Sequence, residues 1–480
     1  MITVVIGLVR TKLAAIYLGT LGVGLLGTYA SIIGMIGTLA GMGIGSSGVR
    51  QIAEATTSGD AQRVAKTLLT IRRVALVLGV VGMSVMAVMA RAICQWTFGD
   101  AKLTVSLVVL AATVLLGAVA TGQAAIVQGL RRIPDLARIN VVGAMSGAAI
   151  AIPLMVGMGL NSIVPMMLAS SGLATLIAWH YARKIELPEV NLSWLETCQT
   201  AVPLLTLGSA FASSVLMANG VAYLTQVMII RRLDLNAAGL YSAAWSLSNF
   251  SVGFILGAMG ADFFPRLTAV SNDDAQVNRL VNEQTEVSLL LALPGVIALI
   301  TLAPWIFHVL YSATFLPAVD VLRWQVLGLN LRVLSWPMGF ILLAKGNVRL
   351  VFWSEFVSSL VHLSLTWCGI VLWGLKGAGA AFVGLYVFHT ILMAFVSRRL
   401  TGFRWTAANG RLIAWGIPTA TGAFVSAMFL PAKWSLPIGL VLAVVSASYS
   451  LRSLTRLTGG RAVASFLLRM RAMCGGPPPA

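Results

Sequence analysis

Four charged residues set in or beside long apolar runs are where this sequence could do chemistry. Arg10 and Lys12 lie in the first run, Arg332 near the middle of the run 321–344, and Glu355 early in the run 350–373. A charge in hydrocarbon is costly and ordinarily faces a bundle interior or a watery cavity. Cations placed there hold anions through charge-assisted hydrogen bonds, and a guanidinium can grip a phosphate with two parallel N–H donors. A second reading stands beside this one. Arg10 and Lys12 can snorkel to a membrane interface, which Arg332 could do only across more hydrocarbon, and Glu355 can close an ion pair with Lys345 or Arg349.

The remaining polar groups offer less. Arg323 and Asp320 sit at a helix end, where they can simply pair. His362 and His389 lie on apolar faces, where interhelical hydrogen bonding competes with a proton relay. Asp262, beside Pro265 and Arg266, reads as a helix-end acid. Cys94, Cys198, Cys368 and Cys474 are scattered without metal spacing, so they indicate neither a disulfide nor a metal site. No GxxxxGK[ST] run is present to cradle a nucleotide, and no cofactor is implied. Glu54, Asp60, Asp100 and Asp135 all fall in loops, which leaves the expected spans of the first half without an acid.

These residues must be positioned by membrane helices. Only 10% of the 480 residues are charged and 58% are hydrophobic, against about 25% charged in soluble proteins. Apolar runs near the 20 residues or so that a span needs predict an all-α membrane protein of fourteen helices, at 2–18, 23–48, 74–93, 103–127, 139–157, 160–181, 201–230, 237–262, 287–311, 321–344, 350–373, 377–397, 411–429 and 435–451. The apolar run ahead of Arg10 is short for a span, and no cleavable signal sequence is readable in it.

The formal charge of +18 would point to nucleic acid in a soluble chain. Here most of the Lys and Arg fall in alternate loops and in the C-terminal tail, as the positive-inside rule expects if both termini are cytoplasmic. No nucleic-acid partner is needed to explain the charge. An internal repeat is also readable. Gly24-Leu25 answers Gly239-Leu240, Gly45 to Gly48 answers Gly260 to Phe263, Gln128 to Arg131 answers Lys345 to Arg349, and Gly159-Leu160 answers Gly374-Leu375, in order and at a nearly constant separation. Two six-helix lobes are therefore expected at 1–182 and 201–397, related by an axis along the membrane normal with a shared site between them. A cytoplasmic connector is expected at 183–200, an additional helix pair at 398–452 and a basic tail at 453–480.

The opening stretch resembles the polysaccharide flippases, the O-antigen and enterobacterial common antigen translocases of the multidrug/oligosaccharidyl-lipid/polysaccharide exporter superfamily. Lys12, Gly19, Gly22, Gly24, Arg50 and Glu54 match their K-L-L-A, G-x-x-G-L-G-L and G-V-x-K-Y-x-A-E runs. The stretch ending at Phe263-Phe264-Pro265-Arg266-Leu267 is similar to their F-x-x-Y-x-L-P-x-L-S-R-L pattern. Asp320, Trp324, Gln325, Arg332 (lysine in the relatives), Ala344-Lys345 and Glu355 fall at corresponding places. The resemblance implies a bacterial inner-membrane flippase that carries an undecaprenyl-diphosphate-linked oligosaccharide, such as an O-antigen unit, from the cytoplasmic to the periplasmic leaflet by alternating access. Arg10, Lys12, Arg332 and Glu355 would then be its substrate-binding residues. Its partners would be membrane lipids, a polysaccharide polymerase and a chain-length regulator, and the extra helix pair would form a lipid-facing groove. The alternative is a multidrug or small-solute cation-coupled antiporter of the same superfamily, which the acid-free first half disfavours. An enzyme such as a polymerase is disfavoured by the short outer loops.

The topology makes a direct prediction. A cysteine placed at Ser312 should react with a membrane-impermeant thiol reagent added to intact cells, and one placed at Ser271 should stay unlabelled. The reverse pattern would invert the layout.

Overall fold

With no water to satisfy backbone groups in hydrocarbon, a spanning segment must close its own hydrogen bonds, and only helices or closed barrels do so. In the computed structural model, which describes residues 2–57, 59–185, 190 and 192–457, the chain takes the helical solution, and no strand is present among the described residues. The helices are α1 (Ile2–Gly41), α2 (Ile44–Thr57), α3 (Ala61–Phe98), α4 (Thr104–Gly129), α5 (Ile133–Met158), α6 (Ile163–Ala182), α7 (Trp194–Arg232), α8 (Leu235–Ala258), α9 (Phe264–Ala269), α10 (Asp274–Leu310), α11 (Ala318–Ala344), α12 (Val348–Trp373), α13 (Leu375–Thr401), α14 (Ala407–Phe429) and α15 (Ala432–Leu457). The all-α membrane architecture is borne out. Eleven stretches among the described residues are long and apolar enough to cross a membrane. In that reckoning α1 holds both of the first two expected helices, and α5 and α6 run on through the tight turn Gly159–Ser162 as one stretch. The acids Glu186 and Glu189 of the expected connector, and Arg461, Arg469, Arg471 and Cys474 of the tail, lie outside the described residues.

Hydropathy finds helix centres and misses their ends. The helix expected at 74–93 is α3, which starts where Asp60 accepts from the amides of Gln62 at 2.8 Å and Arg63 at 3.2 Å, and stops at the left-handed Gly99. A capping box between Ser193 and Glu196 starts α7 well before 201. The Ser193 amide, and after it the Ser193 side chain, hold the Glu196 carboxyl below the usual carboxylate range. Asp273 starts α10 in the same way, accepting from the amides of Ala275 and Gln276, and it too is held low.

The expected break at Gly19–Gly24 proves narrower. Only Gly19 leaves the helix, with φ 65°. The chain then stays helical to Gly41 and turns at Met42 and Gly43 before α2. Gly24 is instead a packing site. A methyl group there would strike the carbonyl of Leu235, and one at Gly239 would strike that of Thr20, so the two helices cross backbone to backbone.

The helices gather into two compact units. The first comprises the described residues up to Ala243 together with Phe307–Leu316. Its core is built from Tyr29, Ile32, Met86, Leu107 and Met166, with the Tyr29 ring edge-on to Phe98. α7 packs there against α1, α2 and α3. The second unit comprises Ala244–Ile306 and the described residues from Pro317 on. α11 runs through it with most of its residues buried, and Phe263, Met338, Ile341, Met393 and Phe403 cluster near one end. Here α12 and α13 meet through Gly369 and Gly377, each occupying the space a methyl on the other would need.

The match of Gly159 to Gly374 folds alike, and the loops after α4 and α11 share a turn two residues out of register with their sequence match. Arg131, after α4, and Gly346, after α11, both take left-handed backbone, with φ 57° and 67°. The amide of Arg132 bonds the Val127 carbonyl at 3.0 Å, and that of Asn347 bonds the Leu342 carbonyl at 3.1 Å. Gly159 and Gly374 share φ 53° and 60°. The match of Gly45–Gly48 to Gly260–Phe263 has no such likeness, since the first is α-helical and the second a π turn.

A bulky residue at the α12–α13 crossing should therefore be poorly tolerated. Gly377→Leu is expected to cost at least the roughly 1–3 kcal/mol typical of overpacking, read as lower folded yield and thermal stability in detergent. Gly422→Ala, which meets open space, should leave both unchanged.

Candidate functional site

The structure brings two of the four sequence candidates together. Arg332 projects from the middle of α11, half-buried in the second unit. Its Nη1 donates to Asn249 Oδ1 on α8 at 3.2 Å. The guanidinium carbon lies 4.9 Å from the ring centre of Trp336, one turn along α11, and 5.9 Å from that of Tyr386 on α13. Its Nε–H is buried and has no partner among the described residues. Its charge acts on the Glu355 carboxyl, the Tyr386 hydroxyl and the His389 ring, so all belong to one electrostatic neighbourhood. Among the described residues no ion pair includes Glu355. Lys345 is taken instead by Asp274 at 2.6 Å and by the Ser271 carbonyl, so the alternative pairing of Glu355 with Lys345 is not what forms.

Neighbouring helices fix this cluster through polar cross-links. Ser248 on α8 donates to Gln325 Oε1 at 3.2 Å, and Trp245 sits edge-on to Phe382 of α13. His389 bonds Ser335 at 3.0 Å, the interhelical contact expected of it. A neutral amide and two aromatic faces are thus the partners of a positive charge. Such a site can take an anion without first breaking an ion pair.

Arg10 and Lys12 belong to the first unit, each half-buried in α1. Lys12 is engaged, donating to the carbonyls of His308 at 3.1 Å and of Tyr311, at the C-terminal end of α10. A cation there meets the unpaired last-turn carbonyls and the negative end of the helix dipole. Arg10 has no hydrogen bond or ion pair among the described residues. Asp320 pairs with Arg323 at 3.4 Å and Lys376 at 2.7 Å, and Asp262 with Arg266 at 3.2 Å, both helix-end contacts as expected.

The first unit contributes a cavity of about 420 Å³ between α1, α2, α4 and α7. Gly34, Gly37, Gly41 and Gly117 line it, with Thr38, Thr121 and Asn219 supplying polar groups and no charge. Asn219 is held by Thr38 Oγ1 at 2.8 Å and the Gly34 carbonyl at 3.3 Å. Asn249, Trp336, Tyr386 and this cavity are what sequence reasoning missed. The available signals are helical spacings on apolar helices: Arg332 with Trp336, Tyr386 with His389, and Gly34 with Gly37 and Gly41.

Spans of this number define a multi-pass helical membrane protein, with a caged arginine in its second unit and a neutral hydrogen-bonding cavity in its first. The chain belongs to the family described as polysaccharide biosynthesis protein, which it matches over residues 22–320. The Lipid III flippase of Escherichia coli (strain K12) is 24% identical over 398 residues, covering 80% of this chain and 92% of that protein. Among solved structures the fold is similar to the Lipid II flippase MurJ in an inward closed conformation, with TM-score 0.72 and 14% identity over 94% of this chain and 97% of that one. It is also similar to an inward-facing multidrug resistance MATE family transporter of the MOP superfamily, with TM-score 0.68 and 15% identity over 83% and 94%.

The charge relation between Arg332 and Glu355 is open to chemical test. In a background with Cys474 and the exposed Cys198 and Cys368 replaced by serine, Glu355→Cys should react with small charged methanethiosulfonates and favour the anionic one. Arg332→Gln should lower that preference by about threefold or more, the size of one unit charge felt across several ångströms. An unchanged ratio would mean that Arg332 does not face this position.

Proposed function

We propose that this protein is a flippase of the bacterial inner membrane that moves a lipid-diphosphate-linked oligosaccharide, carried on undecaprenol, from the cytoplasmic to the outer leaflet by alternating access. The observation that carries the proposal is the guanidinium of Arg332, held in the membrane by Asn249, Trp336 and Tyr386 with its Nε–H unpartnered. A diphosphate crossing hydrocarbon needs its lost hydration replaced, and a guanidinium supplies charge-assisted, bidentate hydrogen bonds that strengthen as water leaves. The lining of the first unit's cavity is uncharged amide and hydroxyl, which suits sugar hydroxyls rather than ions. The names of the relatives, Lipid III flippase and Lipid II flippase MurJ, support the same substrate class. Both termini would be cytoplasmic, and a polymerase and chain-length regulator would act on the product.

A cation-exporting antiporter needs carboxylates inside the bundle. Among the described residues of the first unit the acids are helix-end or turn groups: Glu54 pairs with Arg50, Asp60 and Glu196 cap helices, Asp100 pairs with Lys102, Asp135 pairs with Arg132 and Arg138, and Asp234 accepts from the Ala237 amide. That weighs against the antiporter.

Arg332→Ala should cut the appearance of lipid-linked sugar on the outer leaflet by about 10- to 100-fold, from the roughly 1.5–3 kcal/mol of a charged hydrogen bond. Arg332→Lys, which keeps the charge and matches the resembling flippases, should retain much of the activity. Membrane abundance measured in parallel separates lost transport from lost folding. Normal expression of Arg332→Ala with parental transport would remove the proposal's main support.

A further inference from the structure

Along α12 one face carries Glu355, Ser358, His362 and Thr366, three or four residues apart. The last three are buried. Ser358 Oγ, His362 Nε2 and Thr366 Oγ1 have no hydrogen-bond partner among the described residues. Leaving one such buried group unmet costs about 1–3 kcal/mol, so three in register on one helix face call for a function. Their spacing supplies one. Four residues advance an α-helix by about 6 Å, and one water bonded at about 2.8 Å to each neighbour bridges that distance. The row therefore reads as a file of proton donors and acceptors rather than as three separate defects. His389 is the internal contrast, since it is a membrane histidine whose Nδ1 bonds Ser335.

The surroundings decide what the file carries. At its open end stands Glu355, exposed and under the influence of Arg332. The helices packed on α12 are α13 and α11. α13 turns Phe382 edge-on to the His362 ring, at 6.2 Å, and carries Tyr386 and His389 one and two turns on. α11 carries Arg332. α13 has no acid, and the single acid of α11, Asp320, is paired with Arg323 and Lys376. Among the described residues of α11 and α13 no unpaired acid faces His362 that would make the row a metal or sodium site. A proton is the ion that hydroxyls, one imidazole and a terminal carboxylate can pass.

We propose that this face of α12 is a proton-loading path with His362 as the group that takes the proton. Glu355 accepts a proton from water and gives it up through water bridged by Ser358. His362 Nε2 binds it, turning imidazole to imidazolium, and Thr366 orients the ring from the far side. Unloading reverses the same bonds, so nothing is consumed. The proposal rests on the flippase reading only for what loading accomplishes, which is to let a transmembrane proton gradient drive the lobes between their states.

Loading can be measured without any lipid-linked sugar. The chain has four histidines, so a protein labelled with 15N at histidine and placed in nanodiscs gives four imidazole signals, of which His362 is the one lost in His362→Gln. The expected result is a ring-nitrogen shift of His362 that moves reversibly with pH while the protein stays folded. Glu355→Gln and Ser358→Ala, which keep the imidazole, should slow proton exchange at that ring by about tenfold or more, as loss of a positioned proton-transfer group does. A His362 signal that never moves over the folded range, or exchange that is indifferent to both variants, would overturn the path. In proteoliposomes loaded with lipid-linked sugar, an imposed pH gradient should accelerate flipping by the parent and leave His362→Gln at its unforced rate. Equal response in both would overturn the coupling. A parent that flips nothing while His362 still titrates would remove the flippase reading and leave the proton site standing.

Discussion

Arg332 has Asn249, Trp336 and Tyr386 as its partners, and none of them carries a negative charge. A carboxylate at ion-pair distance would hold the guanidinium more tightly, but removing one partner of a buried pair costs about 3–5 kcal/mol. An arriving anion would have to displace that partner. Neutral partners spread the cost of the charge over one hydrogen bond and two aromatic faces, each worth about 0.5–2 kcal/mol, and leave the charge available. Much of the second unit follows from that requirement. α8, α11 and α13 must be locked to one another so that Asn249, Trp336 and Tyr386 converge, and Ser248–Gln325, His389–Ser335 and Trp245–Phe382 do the locking.

Glycine does two opposite things in this chain. At Gly24 with Gly239 and at Gly369 with Gly377 it removes a side chain so that two backbones can touch, and the return is close packing where lipid tails provide no hydrophobic drive between helices. At Gly37, Gly41 and Gly117 nothing lies within 4 Å of the place a methyl would occupy. These glycines bring no packing in exchange for their weaker helix propensity. What they bring is volume, the cavity beside Asn219 and Thr38. Composition alone sees one kind of glycine in both cases. Whether a backbone or a void faces it depends on a helix distant in sequence.

The same division separates what was legible in the sequence from what was not. Apolar runs mark helix centres because hydrocarbon demands them. They understate α3, α7 and α10, whose ends are set by the caps Asp60, Ser193 and Asp273 in polar surroundings. Arg332 and Glu355 stand out as charges against an apolar background, and that contrast survives any detail of packing. Lys12 stands out equally, yet its engagement with the end of α10 depends on His308 and Tyr311, residues on the other side of the sequence. Asn249, Trp336 and Tyr386 are unremarkable one by one. They become a site only when three helices meet, and no local pattern encodes that meeting.

The matches Gly24 with Gly239, Gly45 with Gly260 and Gly159 with Gly374 share one separation. In that register Arg332 answers Gly117, Asn249 answers Gly34 and Trp336 answers Thr121. Gly34, Gly117 and Thr121 are all lining residues of the first unit's cavity. Where one half of the chain sets a guanidinium, its amide partner and an aromatic face, the other half has two glycines and a hydroxyl around open space. The turns are alike because they serve helix connection, and left-handed backbone after α4 and α11 does that work whether Gly346 or the more strained Arg131 supplies it. The interiors have diverged in charge and in volume at corresponding positions.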